Sequence, residues 1–373
     1  MQVAEIAGAE RHLLELLPSL LDRGWQIRFW GFTIHERSSF ADALAAAGIP
    51  THVERVARLR SLRVAAALRR EIAATSPSIV HSHLFYADVQ TQIALLGRRT
   101  PSVRTIHVTP PTVGVGIARW PFTIAGFLAD KTIAVSGFAA DEARRLHLSP
   151  SSRILAIPHG IRADRWCTTE AERERSREAL GVSDHQIVVV CTSRLFAGKG
   201  HGTLIRAVAQ ARNEKIVLVI AGDGPERSAL EALARRELPE RSYRFCAFVS
   251  DVRELLAGSD IFVLPTDRTL GEAFGVSLLE AMAAGLPAVV SDLPALREVV
   301  GGSGSALMAE PDDASAFASR LTTLAEDPEL RRRMGAIAAT RARTLYGHDA
   351  MVAATENLYR DLLGHAASRA GSG

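Results

Sequence analysis

The chain lacks several signatures that would fix a function class. No Asp-x-Asp pair occurs anywhere, so a divalent cation held by paired carboxylates is not indicated. Three cysteines occur, Cys167, Cys191 and Cys246, an odd number without metal or redox spacing. This argues against a disulfide framework and fits a reducing compartment. The first twenty residues show no basic start followed by an apolar run, so no secretory leader is expected and the expected location is the cytoplasm. No Gly-x-Gly-x-x-Gly follows a first strand, which disfavours a nicotinamide oxidoreductase. No basic stretch interleaved with aromatics appears, which argues against nucleic acid as a partner. Residues 108–129 carry a single charge, Arg119, but Pro110, Pro111 and Pro121 interrupt them. A spanning helix needs roughly 20 apolar residues without such breaks. A loop leading into a partly buried helix is the expectation there.

What is present fits a soluble two-domain chain: 373 residues, 47% of them hydrophobic, too many for one ordinary core. Charge is uneven. Residues 1–165 hold 20 basic and 13 acidic side chains, net +7, and the remainder 24 and 28, net −4. A basic first half favours an anionic partner or an anionic lipid surface, with a merely solvated arginine-rich face as the equal alternative. Residues 55–70 sharpen that question, with six arginines interleaved with Val56, Leu59, Leu62, Val64 and Leu68. The pattern reads as a basic amphipathic helix lying on lipid or, slightly favoured, as a solvated helix with one core face.

Short apolar runs alternate with helical patterns throughout. Strands are expected at 26–31, 78–83, 102–107, 131–136 and 153–157, then at 186–192, 216–221, 243–248, 260–264 and 287–291. Leu13, Leu16, Leu17, Leu20 and Leu21 recur at helical spacing. Such alternation calls for parallel sheets covered on both faces. The rhythm breaks over 158–184, where a charged linker and short helix are expected. The fold class is therefore α/β, two doubly wound Rossmann-like domains facing each other across a cleft, with the ligand outside the carboxyl ends of the strands. The expected domains are 1–162 and 163–347.

Two motifs carry chemistry. Arg194-Leu-Phe-Ala-Gly-Lys199-Gly200 sets two cations five apart after an apolar run. Arg binds a diphosphate bidentately and Lys adds a compact charge. Glu272-Ala-Phe274-Gly275-Val276-Ser277-Leu-Leu-Glu280 sets two glutamates eight apart. A helix starting near Gly275 would aim backbone N–H groups at the same anion, and Glu280, two turns in, could accept bonds from sugar hydroxyls. Were all eight steps helical, the carboxyls would stand up to roughly 12 Å apart. The pair in a retaining glycoside hydrolase needs about 5–5.5 Å, so a hydrolase pair is disfavoured. His107 ends a strand that should point into the cleft. His81 and His83 share one strand face but lack a third metal ligand of matching spacing.

In this order and spacing, these motifs resemble the donor site of retaining GT-B glycosyltransferases, glycosyltransferase family 4 in particular. The resemblance spans nearly the whole chain: Gly8-Ala9-Glu10 before a leucine-rich helix, Pro158-His159-Gly160 at the hinge, Ala221–Pro225, Pro287 and Glu298. Ala7, His159 and Ala273 stand where the family has Gly, Asn and Gly, and a positive φ at Ala273 would disfavour alanine. The resemblance implies that Glu280 holds the nucleotide ribose, Glu272 approaches the transferred sugar, and His107 lies near the forming bond. It further implies that the turn at Gly8 lets backbone approach phosphate or acceptor. A nucleotide sugar (UDP- or GDP-linked) is then the donor and no metal cofactor is required. The first domain takes a hydroxyl acceptor, and a C-terminal helix at 348–365 packs back on that domain. A lipid-linked acceptor at the inner face of the plasma membrane, with the protein peripheral on an anionic surface, stands beside a small soluble acceptor. A GT-B-like sugar-nucleotide epimerase and a non-catalytic nucleotide-sugar-binding protein are the alternatives.

Overall fold

The computed structural model describes residues 1, 8–33, 38–56, 62–107, 120–247, 249 and 251–370, with side chains through residue 365. The chain divides into two compact units, Met1–Gly160 with His348–Gly373, and Ile161–Gly347.

In the first unit, β1 (Phe29–Thr33) pairs in parallel with β2 (Thr51–Arg55). A second parallel sheet has the order β3-β4-β5-β6, from β3 (Val80–His83), β4 (Ser102–Ile106), β5 (Lys131–Ala134) and β6 (Ile154–Ala156). The helices are α1 (Gly8–Asp22), α2 (Ser39–Ala46), α3 (Leu62–Thr75), α4 (Phe85–Leu95), α5 (Trp120–Leu128) and α6 (Gly137–Arg145). Leu13, Leu16 and Leu20 of α1 are buried, as their helical spacing requires. The C-terminal helix His348–Ala370 belongs to this unit. Its Met351, Val352, Leu358 and Tyr359 share a core with Leu16, Leu20, Val103 and Ile133, and its Glu356 accepts from Arg23 and Trp25.

The second unit holds a six-stranded parallel sheet in the order β12-β11-β10-β7-β8-β9. The strands are β7 (Ile187–Thr192), β8 (Ile216–Ala221), β9 (Tyr243–Cys246), β10 (Ile261–Leu264), β11 (Ala288–Ser291) and β12 (Ala306–Ala309). The helices are α7 (Glu170–Leu180), α8 (His201–Ala211), α9 (Arg227–Glu237), α10 (Val252–Ala257), α11 (Val276–Ala283), α12 (Pro294–Val300), α13 (Ala314–Glu326) and α14 (Pro328–Leu345). Every residue of β7 and β8 is buried, because helices cover both sheet faces and leave no solvent side for alternation. Asp260, just before β10, accepts from Arg173 (2.6 Å), Arg177 (3.1 Å) and the Val188 backbone (2.8 Å), tying α7 to the sheet. The chain runs β7-β8-β9 outward and then returns to lay β10 against the other side of β7. Strand order therefore reverses between β7 and β10, the point at which open α/β sheets generally bind their ligands.

The strand expected at 216–221 coincides with β8, and most others are one or two residues shorter than expected. The first begins at Phe29 rather than 26. The third strand of the second series stops at Cys246, and Phe248 lies outside the described residues. Strands β2 and β12 are additions. The first is half-buried, and the second, Ala-Leu-Met-Ala, is made of helix-favouring residues held extended by β11. The basic helix expected over 55–70 is corrected: Arg55 ends β2, α3 starts at Leu62, and 57–61 lie outside the described residues. Helix α3 buries Val64, Ala65, Leu68 and Ile72, so it has one core face. No helix among the described residues is long and apolar enough to cross a membrane.

Candidate functional site

The charged motifs of the second unit meet at the carboxyl ends of β7 and β10. Arg194 follows β7, exposed, with its guanidinium 4.9 Å from the centre of the Phe196 ring; the Lys199 ammonium stands 6.0 Å from the same ring. The two cations therefore flank one aromatic side chain. Lys199 Nζ also lies 2.5 Å from Glu272 Oε1, and Thr266 donates to that oxygen at 2.7 Å. The two loops touch because Gly200, at φ 74°, has no side chain: a Cβ there would stand 1.8 Å from the Pro265 carbonyl oxygen. Gly275 takes φ 94° as the N-cap of α11, so Val276 and Ser277 are its first helical residues, with N–H groups that have no partner inside the helix.

Several expectations shift at this site. Glu280 sits just over one turn into α11, not two, and is 5% exposed. Residues 272–275 precede the helix, so the eight-step helical separation of the glutamates does not apply. Phe274 is buried and packs edge-on against Tyr346 at 5.4 Å, which leaves only its backbone for a ligand. Ala273 has no positive φ; the left-handed positions of the loop are Gly271 and Gly275, so alanine is accommodated without strain. Pro225 lies two residues before α9 begins, in the turn that leads into the helix.

In the first unit, His107 follows β4 and sits among other histidines. His83 Nδ1 lies 2.9 Å from His107 Nε2, and His12 Nδ1 3.1 Å from His159 Nδ1. One nitrogen of each pair carries the proton. The His12 ring is 5.4 Å from that of His107 and 4.8 Å from that of His159. His81 and His83 do share a face, with rings 4.2 Å apart, but His81 is engaged by Tyr359 Oη at 2.5 Å and Thr105 Oγ1 at 2.7 Å. Burial, reinforced by neighbouring histidines, holds His107, His83 and His159 well below the usual histidine range and pushes His12 down to about 4 and His81 to about 3. Neutral imidazoles can pass hydrogen bonds but supply no positive charge. Leu84, next to His83, takes φ 75°, a strained value for a residue with a Cβ and worth about 1–3 kcal/mol. Gly8 is the first residue of α1 rather than part of a turn before it; Ala7 and residues 2–6 lie outside the described residues. Among the described residues no group of three His, Cys, Asp or Glu side chains is arranged to hold a metal ion.

The family described as Glycosyltransferase Family 4 matches residues 6–165, and the one described as Glycosyl transferases group 1 matches residues 172–341. The alpha-D-kanosaminyltransferase of Streptomyces kanamyceticus is 30% identical over 319 residues, 79% of this chain and 79% of that one. The chain belongs to glycosyltransferase family 4. The alpha-maltose-1-phosphate synthase of Mycobacterium tuberculosis is 29% identical over 70% of this chain and 73% of its own length. Among solved structures, Anabaena HepE in complex with UDP-glucose superimposes with a TM-score of 0.85 over 96% of this chain and 99% of that one, at 22% identity. The fold of this glycosyltransferase is GT-B, built from two Rossmann-like units.

Several residues of these clusters escape sequence reasoning. His201, the first residue of α8, is 1% exposed, and its Nε2 lies 2.8 Å from Ser193 Oγ; burial and the nearby Lys199 push it down to about 4. Thr266, which orients Glu272, reads in sequence as an ordinary loop residue. His12 carries no signal beyond its place four residues after Gly8. His12 meets His159 from far along the chain, whereas His201–Ser193 and Thr266–Glu272 are contacts within one loop region that no motif announces.

Proposed function

We propose that this glycosyltransferase moves a hexose from a nucleoside diphosphate sugar to a hydroxyl acceptor with retention of anomeric configuration and without a divalent metal. The observation that carries the reading is the pairing of Arg194 and Lys199 about Phe196 at the carboxyl ends of β7 and β10, on the loop that meets the one leading into α11. Two cations and unpartnered backbone N–H groups are what a leaving diphosphate needs as its charge develops. With no Asp-x-Asp in the chain, those cations take the place of a carboxylate-held metal. A bound diphosphate would compete with Glu272 for Lys199, freeing the Glu272 carboxylate to meet the transferred sugar. Val276 and Ser277 offer N–H groups to phosphate, the backbone at Phe274 and Gly275 lines the approach, and Glu280 accepts from the ribose.

Thr266 still donates to the Glu272 carboxylate when Lys199 turns to the diphosphate, which weakens it as a nucleophile and favours front-face attack. The acceptor hydroxyl attacks the anomeric carbon on the side from which the diphosphate leaves, and its proton passes to the departing phosphate oxygen. In this reading the first unit takes the acceptor. His107 stays neutral and hydrogen-bonds a sugar hydroxyl, and the start of α1 at Gly8 meets phosphate or acceptor. UDP and GDP donors both fit the charge pattern, and a lipid-linked saccharide or polysaccharide precursor is the acceptor class proposed. The test is a thermal-shift panel of UDP- and GDP-sugars in the presence of chelator, followed by NMR of the product from the stabilising donor. An α-linked product from an α-linked donor supports the reading. An inverted linkage refutes retention, and an epimerised nucleotide sugar refutes transfer.

A further inference from the structure

A second surface of the first unit leaves large apolar side chains exposed. Among the described residues, six of the eight large apolar side chains that stand most exposed lie in the adjoining helices α3, α4 and α5 or at their ends: Leu62, Leu96, Trp120, Ile124, Phe127 and Leu128. The last four fall at positions 0, 4, 7 and 8 of α5, which is one helical stripe. Trp120 is 62% exposed and Phe127 51%.

Loose packing does not explain this exposure, because the opposite face of α5 is locked in place. Phe122, Ala125 and Gly126 are buried. The fully buried Arg104 stacks its guanidinium 4.2 Å from the Phe122 ring and donates to the Phe122 carbonyl at 2.8 Å. A Cβ at Gly126 would stand 1.9 Å from the Leu148 carbonyl oxygen, so the helix is pressed as close as glycine allows. At its C-terminus, Arg153 donates to the carbonyls of Phe127 and Ala129, both at 3.0 Å. The helix end is thus satisfied internally and carries a cation beside the stripe.

Charge indicates what covers this face. Between residues 62 and 128 the described residues include Arg63, Arg69, Arg70, Arg98 and Arg99 outside the core, with Arg104 buried. Against them stand Asp88, fully buried, and Glu71, which is paired with Arg28 at 3.4 Å. An apolar stripe with tryptophan at one end, in a helix layer whose surface charge is almost all positive, suits the boundary between lipid headgroups and acyl chains. We propose that this α3–α4–α5 face docks on an anionic membrane surface, with α5 inserting Trp120, Ile124, Phe127 and Leu128. The proposal does not depend on the donor or acceptor assigned above, since its readout is vesicle binding.

The experiment is co-sedimentation of the full chain with phosphatidylcholine vesicles, with and without phosphatidylglycerol, at low and high salt. Binding should require phosphatidylglycerol and weaken with salt. It should fall about fivefold for each of Arg70→Gln and Arg99→Gln, since one cation near an anionic surface contributes about 1 kcal/mol. Trp120→Ser combined with Phe127→Ser should abolish it while circular dichroism stays unchanged; if that double variant fails to fold, the arginine variants decide. No binding to phosphatidylglycerol vesicles at low salt overturns the proposal, as does binding indifferent to these substitutions. A concentration-dependent dimer that the serine variants dissolve, without vesicle binding, would assign the face to a second copy of the chain instead.

Discussion

Replacing Lys199 with alanine separates a structural role from a chemical one. The Lys199 and Glu272 side chains are 17% and 12% exposed, and their charged atoms lie 2.5 Å apart. Breaking a fully buried pair costs about 3–5 kcal/mol. Partial exposure reduces that figure, and Thr266 still donates to the stranded carboxylate, so a loss of about 1–2 kcal/mol is expected. For a unit of this size that lowers the melting temperature by about 2–8 °C. The effect on turnover should be larger. A preorganised donor aimed at developing charge contributes about 2.7–4 kcal/mol, so kcat should fall by about 10²–10³. Glu272→Gln is the control: it keeps an acceptor for Thr266 and leaves Lys199 in place. Both variants would be followed by calorimetric melting and by release of nucleoside diphosphate under saturating donor. Undiminished kcat in a folded Lys199→Ala protein would refute the assignment of Lys199 to the leaving group.

Acid should destabilise the first unit. His12 and His81 are depressed to about 4 and about 3, and an unfolded chain protonates them near 6.5. The unfolded state therefore binds more protons, and stability, complete above about pH 6.5, is lost as pH falls toward 4 at about 1.4 kcal/mol per unit for each such group. Asp88, raised to about 7 by burial, acts in the opposite direction and offsets about one histidine. A melting temperature flat between pH 7 and pH 4.5, about the middle of that window, would contradict the buried cluster. In the second unit, Asp260→Ala should cost about 3 kcal/mol, because Arg177, 4% exposed, loses the nearer and more buried of its two carboxylate partners; denaturant unfolding reads this directly. Activity should survive a chelator, and loss restored by Mg²⁺ or Mn²⁺ would show that Arg194 and Lys199 do not act in place of a metal.

The second unit is the more legible of the two in sequence. Short, uninterrupted runs rich in Val and Ile suit parallel strands covered on both sides, and 186–192 and 216–221 read that way from length and composition. Arg194, Lys199, Glu272 and Glu280 stand out because charges at fixed spacing beside glycine suit a turn that meets a phosphate and a sugar. What stays hidden depends on contacts between distant segments. Lys199 and Glu272 are 73 residues apart, and no local pattern says that they pair. His12, His83, His107 and His159 lie on α1, at the end of β3 and just beyond β4 and β6, and meet only because strand order brings those ends together. The sequence places the start of α11 correctly near Gly275, and Glu280, five residues on, is then just over one turn in rather than two. Strand β12 escapes notice because its residues favour helix and only pairing with β11 extends them.

Central to the proposed reaction is a site at the carboxyl ends of β7 and β10 that binds the diphosphate of a nucleotide sugar through Arg194 and Lys199. Isothermal titration calorimetry of UDP and GDP against the wild-type chain and against Arg194→Ala and Lys199→Ala, all in chelator, tests this most directly. One nucleotide should bind the wild-type protein without metal, and each variant should bind it at least about tenfold more weakly, the loss of one charge-assisted contact worth about 1.5–3 kcal/mol. Equal affinity in all three proteins, or no binding of either nucleotide until a divalent cation is added, would contradict it.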